Sequence, residues 1–388
     1  MRKLWYMGLE PYEGRYTLQL QQWSEAAFRE RGIDYEVVTG TTLDNSKAIV
    51  TGQVLDAHGR SFYSLTQMAT LVQKMKNGEV TSEDAIFFED MFTPGIESLP
   101  YIMDQSDQKP TVYVRCLAQT IDPDDFLHVW NMDGWMRKYE QMVLPWATVL
   151  ASNEEMVAHM RIAGWRAPIY NISGLAFNKQ EVQSRIDYIP SFEYRPKRVV
   201  FAARFDQEKQ PHWFMDLIGK YKLAFPKTEF AVLSGGPLRS NQASALQRGR
   251  EMQEKGMLRI YENLSKNEYY KLLANSRVLF NCALQDWTSN TASEADALGT
   301  NCLYPAYRSF PETFANDPNC LYIPWSLDDA MDKLENLLDK PHYNQGKLSD
   351  WTSKTIHRCI DIMTQTNDYE QWHRGTSTYR EHIPHAKY

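Results

Sequence analysis

Residues 277–304 read as strand, loop, helix, strand, and a chain assembled from such units is restricted to a parallel α/β sheet. The apolar run Arg277-Val-Leu-Phe-Asn-Cys-Ala-Leu284 is the first strand. A polar turn of Thr288, Ser289 and Asn290 opens a helix at about Thr291 that ends at Gly299, and Cys302–Tyr304 is the next strand. The loop therefore falls at the carboxyl end of a strand, where open α/β sheets bind their ligands.

Two carboxylates flank that loop, Asp286 and Glu294, with seven residues between them. Backbone N–H groups at a helix start hold anions. Glu294, one turn in, sits where a carboxylate accepts hydrogen bonds from vicinal hydroxyls such as those of a ribose. Phosphate plus sugar hydroxyls describes a nucleotide sugar. The plainer alternative makes Asp286 a strand end and Glu294 a solvated helix residue.

The upstream order of parts weighs against the plainer alternative. Arg198-Val-Val-Phe-Ala-Ala-Arg204 is a buried strand followed by Arg204 and Lys209, five apart. A second strand from Glu229 ends in Gly235 and Gly236. A third runs from Leu258 to the Tyr261–Leu264 loop, and Ser265 with Glu268 has the capping-box spacing that opens a helix. This ordered set resembles the second domain of the family 4 retaining glycosyltransferases, over about residues 195–325. The resemblance implies an α/β protein of two Rossmann-like domains facing a cleft, the GT-B fold, with a C-terminal helix crossing back to the first domain. It implies that Arg204 and Lys209 act on the donor diphosphate and that Glu294 binds the ribose. Asp286 and the turn Thr288, Ser289, Asn290 and Thr291 would then face the donor, with Gly235, Gly236, Tyr261 and Leu264 around the base. Asp286 departs from the family's usual Glu by one methylene. Family members often carry a His at the end of a first-domain strand; here Gln119 is the nearest candidate, then Asp122.

The chain of 388 residues suits two domains, here 1–180 and 195–345, with 346–388 as crossover helix and tail. Residues 179–197 read as the linker. Net charge is −7, which lowers the expectation of a partner bound mainly through phosphates. Five cysteines, Cys116, Cys282, Cys302, Cys320 and Cys359, show no CxxC spacing and read as reduced thiols in a cytoplasmic protein, without a zinc site. The opening residues lack the apolar region of a signal peptide, and no run is long enough to span a membrane. Neither a divalent ion nor another cofactor is expected beyond the nucleotide-sugar co-substrate.

The first half alternates in the same way. Strands are expected at Lys3–Met7, Asp34–Val38, Ala85–Phe88, Thr111–Arg115 and Thr148–Ala151, with helices at Tyr16–Arg31, Ser64–Met75 and Asp133–Met142. The loop after the first strand carries Gly8, Gly14 and Arg15, expected on the donor side, and Glu13, expected to contact an acceptor. Asp90 and Asp122 at later strand ends are further acceptor candidates. Asp56–Arg60 reads as a polar surface turn. The last segments expected to be helical are Leu327–Leu338 and Leu348–Gln365, and Trp351–Met363 is the candidate crossover. His373, His382 and His385 in the tail are too loosely spaced for a metal site.

The opening segment and the Phe87–Gly95 stretch also resemble, more loosely, DNA-modifying glycosyltransferases encoded by phages. That resemblance implies double-stranded DNA with hydroxymethyl pyrimidines as acceptor, host cytoplasm as location, and Arg15, Arg60 and Lys74 as a rim for phosphates. The alternatives are a saccharide or lipid-linked glycan acceptor, a sugar-nucleotide epimerase on the same fold, or a silent sugar binder.

Overall fold

The computed structural model describes residues 2–12, 16–43, 56–117, 119–284, 286–342 and 345–364. The expected site residues Glu13, Gly14 and Arg15, and the tail histidines, lie outside the described residues. Six parallel strands form the first sheet: β1 (Leu4–Met7), β2 (Tyr35–Val37), β3 (Ala85–Phe88), β4 (Thr111–Arg115), β5 (Thr148–Ala151) and β6 (Ile169–Asn171). Their order is β2-β1-β3-β4-β5-β6. The second sheet holds β7 (Arg198–Phe201), β8 (Glu229–Leu233), β9 (Arg259–Tyr261), β10 (Val278–Phe280), β11 (Asn301–Pro305) and β12 (Leu321–Tyr322), in the order β12-β11-β10-β7-β8-β9. All the pairings are parallel. β1 and β3 are buried at every position, as covered parallel strands must be.

Each order reverses once. The reversal lies between β1 and β3 in the first sheet and between β7 and β10 in the second. Such switch points open a crevice at the carboxyl ends of the two strands, because the connections leave in opposite directions there. Topology alone therefore brings the loops after β1 and β3, and the loops after β7 and β10, to the two switch points of the molecule.

Several expectations change in detail. Asp56–Arg60 is not a surface turn. Asp56 caps the helix Ala57–Lys76 by accepting from the His58 N–H, so this helix starts about two turns earlier than its apolar pattern suggests. The polar residues of its first turn hid it. The expected single helix after Leu348 is two, Lys347–Ser353 and Thr355–Thr364. The second lies on the first domain: Tyr113 donates to the Ile362 carbonyl, Thr355 to that of Ser173 and Arg358 to that of Ile172. The segment 179–197 is no loose linker. It contains the helix Lys179–Ser184, and Arg195, 4% exposed, donates to the carbonyls of Pro190, Leu298 and Gly299. The capping box of Ser265 and Glu268 is present.

One apolar cluster runs through both halves. It joins Tyr6, Trp23 and Phe87 of the first to Tyr270, Leu298 and Tyr304 of the second through Phe177, Ile356 and Ile360. No helix among the described residues is long and apolar enough to cross a membrane.

Candidate active site

At the second switch point, the β7 loop carries Arg204 and Lys209 and the β10 loop carries Asp286. Lys209 Nζ lies 3.1 Å from Asp286 Oδ1. The loops are stitched together by the Leu284 N–H donating to the Glu208 carbonyl and by Cys282 Sγ donating to that of Lys209. Gln210, which follows Lys209, has φ 52°, a left-handed conformation a non-glycine residue adopts only under constraint. It precedes Pro211 at the start of the helix Pro211–Ala224 and aims the loop back over the strand ends. The two cations differ. Lys209 is 6% exposed, whereas the Arg204 side chain is 44% exposed and is shared by Asp206 at 3.2 Å and Glu208 at 2.6 Å.

The helix after β10 spans Asn290–Ala297, with Ser289 as N-cap accepting from the Ala292 N–H. Ser289 Oγ lies 2.9 Å from both Thr291 Oγ1 and the Tyr304 hydroxyl. Two buried polar atoms here have no hydrogen-bond partner among the described residues, Thr288 Oγ1 and Trp287 Nε1. Orphaned groups of this kind are uncommon in folded proteins and mark a place where a ligand or water completes the bonding.

Glu294 is 3% exposed and already occupied. It accepts from Lys266 Nζ at 2.7 Å, the Tyr269 hydroxyl at 2.9 Å and the Tyr270 hydroxyl at 3.0 Å. Sequence alone did not reveal these partners, because they come from the preceding helix, Lys266–Ala274. Burial and the Glu294 charge together push the Tyr269 hydroxyl well above its usual range. The Gly235–Gly236 turn and the Tyr261–Leu264 loop are joined by backbone hydrogen bonds: the Asn263 N–H donates to the Gly236 carbonyl and the Leu264 N–H to the Ser234 carbonyl. A Cβ on Gly235 would lie 3.7 Å from the Leu264 carbonyl oxygen. The Tyr261 hydroxyl points at Glu229, 3.5 Å away.

At the first switch point, Glu10 after β1 and Asp90 after β3 converge on Arg60, which ion-pairs with both. Arg60 is 6% exposed, so it cannot belong to an outer rim for phosphates. Lys74 likewise is engaged, by Glu36 at 2.5 Å and Glu79 at 3.1 Å. The Gly8 carbonyl accepts from Gln67. Asp90 Oδ1 accepts from Gln119 Nε2 at 2.8 Å and from the Phe92 N–H. Gln119, like Gln210, is left-handed, with φ 56°. Burial holds the Asp90 carboxyl above its usual range despite Arg60.

The turn Asp122-Pro-Asp-Asp125 reaches toward the second domain. Arg308 donates to Asp124 at 2.6 Å, and Asp125 feels the charge of Arg204. Trp287 enters the first domain's core, where Asn153 donates to its carbonyl at 2.6 Å and the His159 ring lies 5.1 Å away. Arg308, Asp124 and Asp125 were not singled out in the sequence, since only the facing of the two halves gives them meaning.

Burial raises the Asp125 carboxyl to about 6, partly countered by the Leu127 N–H and opposed charges. A raised folded-state value means stability present at pH below about 4 and lost as pH climbs through about 6, worth roughly 3 kcal/mol at most. Asp125→Asn keeps the acceptor for the Leu127 N–H and removes the titration. Urea denaturation from pH 4 to 8 is expected to show wild type losing stability relative to the variant across that window. Parallel curves at all pH values exclude the assignment.

No family model and no curated protein matches this sequence. Solved structures do. Sucrose-phosphate synthase of Thermosynechococcus elongatus is 13% identical with a TM-score of 0.63, over 98% of this chain and 99% of that one. Anabaena HepE, in complex with UDP and glucose, is 10% identical with a TM-score of 0.56, over 99% of this chain and 100% of that one. The pneumococcal O-GlcNAc transferase GtfA, in complex with UDP and GlcNAc, is 11% identical with a TM-score of 0.54, over 98% and 99%. The likeness is one of fold: two parallel six-stranded sheets with helices, in the GT-B arrangement.

Proposed function

We propose that this chain is a glycosyltransferase that moves a sugar from a UDP-linked donor to an acceptor hydroxyl, with retention at the anomeric carbon. The observation that carries the reading is the convergence at the second switch point of a buried Lys209, Arg204 and the start of the Asn290–Ala297 helix. Cations and helix N–H groups gathered at one strand end suit a diphosphate. Two similarly folded structures hold UDP, which favours that nucleotide.

In this reading Lys209 neutralises the charge that develops on the departing diphosphate, and Arg204 assists from a more exposed position. Asp286 keeps Lys209 in place while the donor is absent. Glu294 takes the ribose hydroxyls, for which Lys266, with a 38% exposed side chain, swings aside. A carboxylate offers about four acceptor sites, so the two tyrosines can stay. Gln119, Asp90 and Asp122 face the sugar and the incoming hydroxyl. The leaving phosphate itself takes the acceptor's proton.

For the acceptor, the loose likeness to phage enzymes favours a hydroxymethyl pyrimidine in DNA, and a saccharide hydroxyl is the alternative. The saccharide reading gains from the ion-paired states of Arg60 and Lys74, which remove two of the three cations expected to contact phosphates. The test is incubation with radiolabelled UDP- and GDP-sugars, with and without hydroxymethylated DNA or glycan acceptors. Label moved from a UDP-sugar to an acceptor is expected, and mass spectrometry of the product identifies the acceptor. Glu294→Gln is expected to weaken UDP binding by ~1–3 kcal/mol in calorimetry. An enzyme that interconverts nucleotide sugars without any acceptor, or that never turns them over, defeats the proposal.

A further inference from the structure

At the opposite edge of the second sheet, three potential metal ligands of different chemistry meet. The turn Asp317–Cys320 leads into β12, and His342 follows the helix Leu327–Asp339. One ligand atom from each of Asp317, Cys320 and His342 lies within 4.8 Å of the others. His342 Nε2 is 3.0 Å from Asp317 Oδ2 and 3.7 Å from Cys320 Sγ. Cys320 is 6% exposed, and the side chains of His342 and Asp317 are 8% and 6% exposed.

We propose that Asp317, Cys320 and His342 form a structural site for a zinc-type divalent cation. The first argument is geometric. Tetrahedral zinc with Zn–S of about 2.3 Å and Zn–N or Zn–O of about 2.0 Å separates S from N by about 3.6 Å and N from O by about 3.3 Å. The observed 3.7 and 3.0 Å need shifts of only a few tenths of an ångström. The second is charge. A thiolate and a carboxylate around a dication make a neutral centre, which offsets the cost of burying each ion separately.

The surroundings hold the ligands in place. Asp317 Oδ1 accepts from the Asn319 N–H and Nδ2, both at 2.9 Å, which leaves Oδ2 turned to His342. The Cys320 N–H donates to the Asp317 carbonyl. Asn301 accepts from the His342 N–H at 2.8 Å and donates to the carbonyls of Leu337 and Lys340. Such supports fix ligand orientation in metal sites. The site lies at the amino ends of β11 and β12, away from the carboxyl edge of the sheet that carries Lys209 and Asp286. Its role is to tie the edge strand to the segment after the helix Leu327–Asp339. The sequence hid it because Asp-x-x-Cys with a His 22 residues on matches none of the usual cysteine spacings.

The test is cobalt(II) titration of the reduced full-length chain, followed by zinc competition and thermal melting. One cobalt per chain is expected, with a thiolate-to-cobalt charge-transfer band that zinc abolishes, and zinc should raise the melting temperature. The band should vanish in Cys320→Ser and His342→Gln and persist in Cys359→Ser. If the site variants do not fold, wild-type protein still decides: zinc must then shield Cys320 from alkylation, read by peptide mass spectrometry. No thiolate band in wild type, an undiminished band in Cys320→Ser, or equal alkylation with and without zinc overturns the proposal and leaves a plain His–Asp hydrogen bond beside a thiol.

Discussion

On the proposed transferase reading, Lys209→Ala is expected to lower turnover of a UDP-sugar by about 10²–10³-fold, the loss found when one preorganised donor is removed from a developing charge. Lys209 is the cation to choose, since it is buried beside Asp286, whereas Arg204 is half-exposed and shared by Asp206 and Glu208. The charge on the diphosphate grows in the transition state, so kcat should fall further than UDP affinity. Lys209→Arg is not expected to restore the rate, because a planar fork on a different stem cannot occupy the position of a compact ammonium. The remaining Asp286 side chain is 26% exposed, so water can solvate it and the fold should survive. Steady-state kinetics with calorimetry on the same variants reads both effects. Near-normal kcat in Lys209→Ala would remove Lys209 from the mechanism.

Arg115→Met destabilises the first domain by about 3–5 kcal/mol at pH 8, the cost of leaving a buried ion without its partner. Arg115 is fully buried, and its Nε stands 2.9 Å from Glu89 Oε1. The Tyr6 hydroxyl donates to the other Glu89 oxygen at 2.7 Å, and Arg115 Nη2 contacts Cys359 Sγ at 3.6 Å on the helix that returns from the chain's far end. Burial already raises the Glu89 carboxyl, and Arg115 is the charge that opposes this. Without Arg115 that carboxyl rises further. The variant's deficit should therefore widen as pH increases and shrink as Glu89 takes up a proton. Adding Glu89→Gln should recover most of the loss, because two uncharged groups carry no unpaired ion. Urea midpoints of the single and double variants at pH 5 and 8 measure this. A single variant as stable as wild type at pH 8 would show that the pair contributes nothing.

Much of the fold was legible in the sequence. β3, β4 and β5 begin and end where the sequence places them, because strands covered on both faces read as short, mostly apolar runs. The capping box at Ser265 follows from spacing alone, since the N-cap and the third residue of a helix always face each other. The helix from Ala57 was misread because its first turn is polar and packs Arg60 inward, which no periodicity rule anticipates.

What the sequence by itself determined is the alternation of strands and helices and the residues at each strand end. Both follow from local physics: burial on two faces, caps and turns. The tertiary structure decided which of those ends meet. Strand order set the two switch points, and only there do Lys209 and Asp286, or Glu10, Arg60 and Asp90, come within reach of each other. It also decided that Glu294 is held by Lys266, Tyr269 and Tyr270, and that Arg308 spans to Asp124. These contacts join residues far apart along the chain, and pairing at such separation is fixed by how whole sheets and helices pack, not by local pattern.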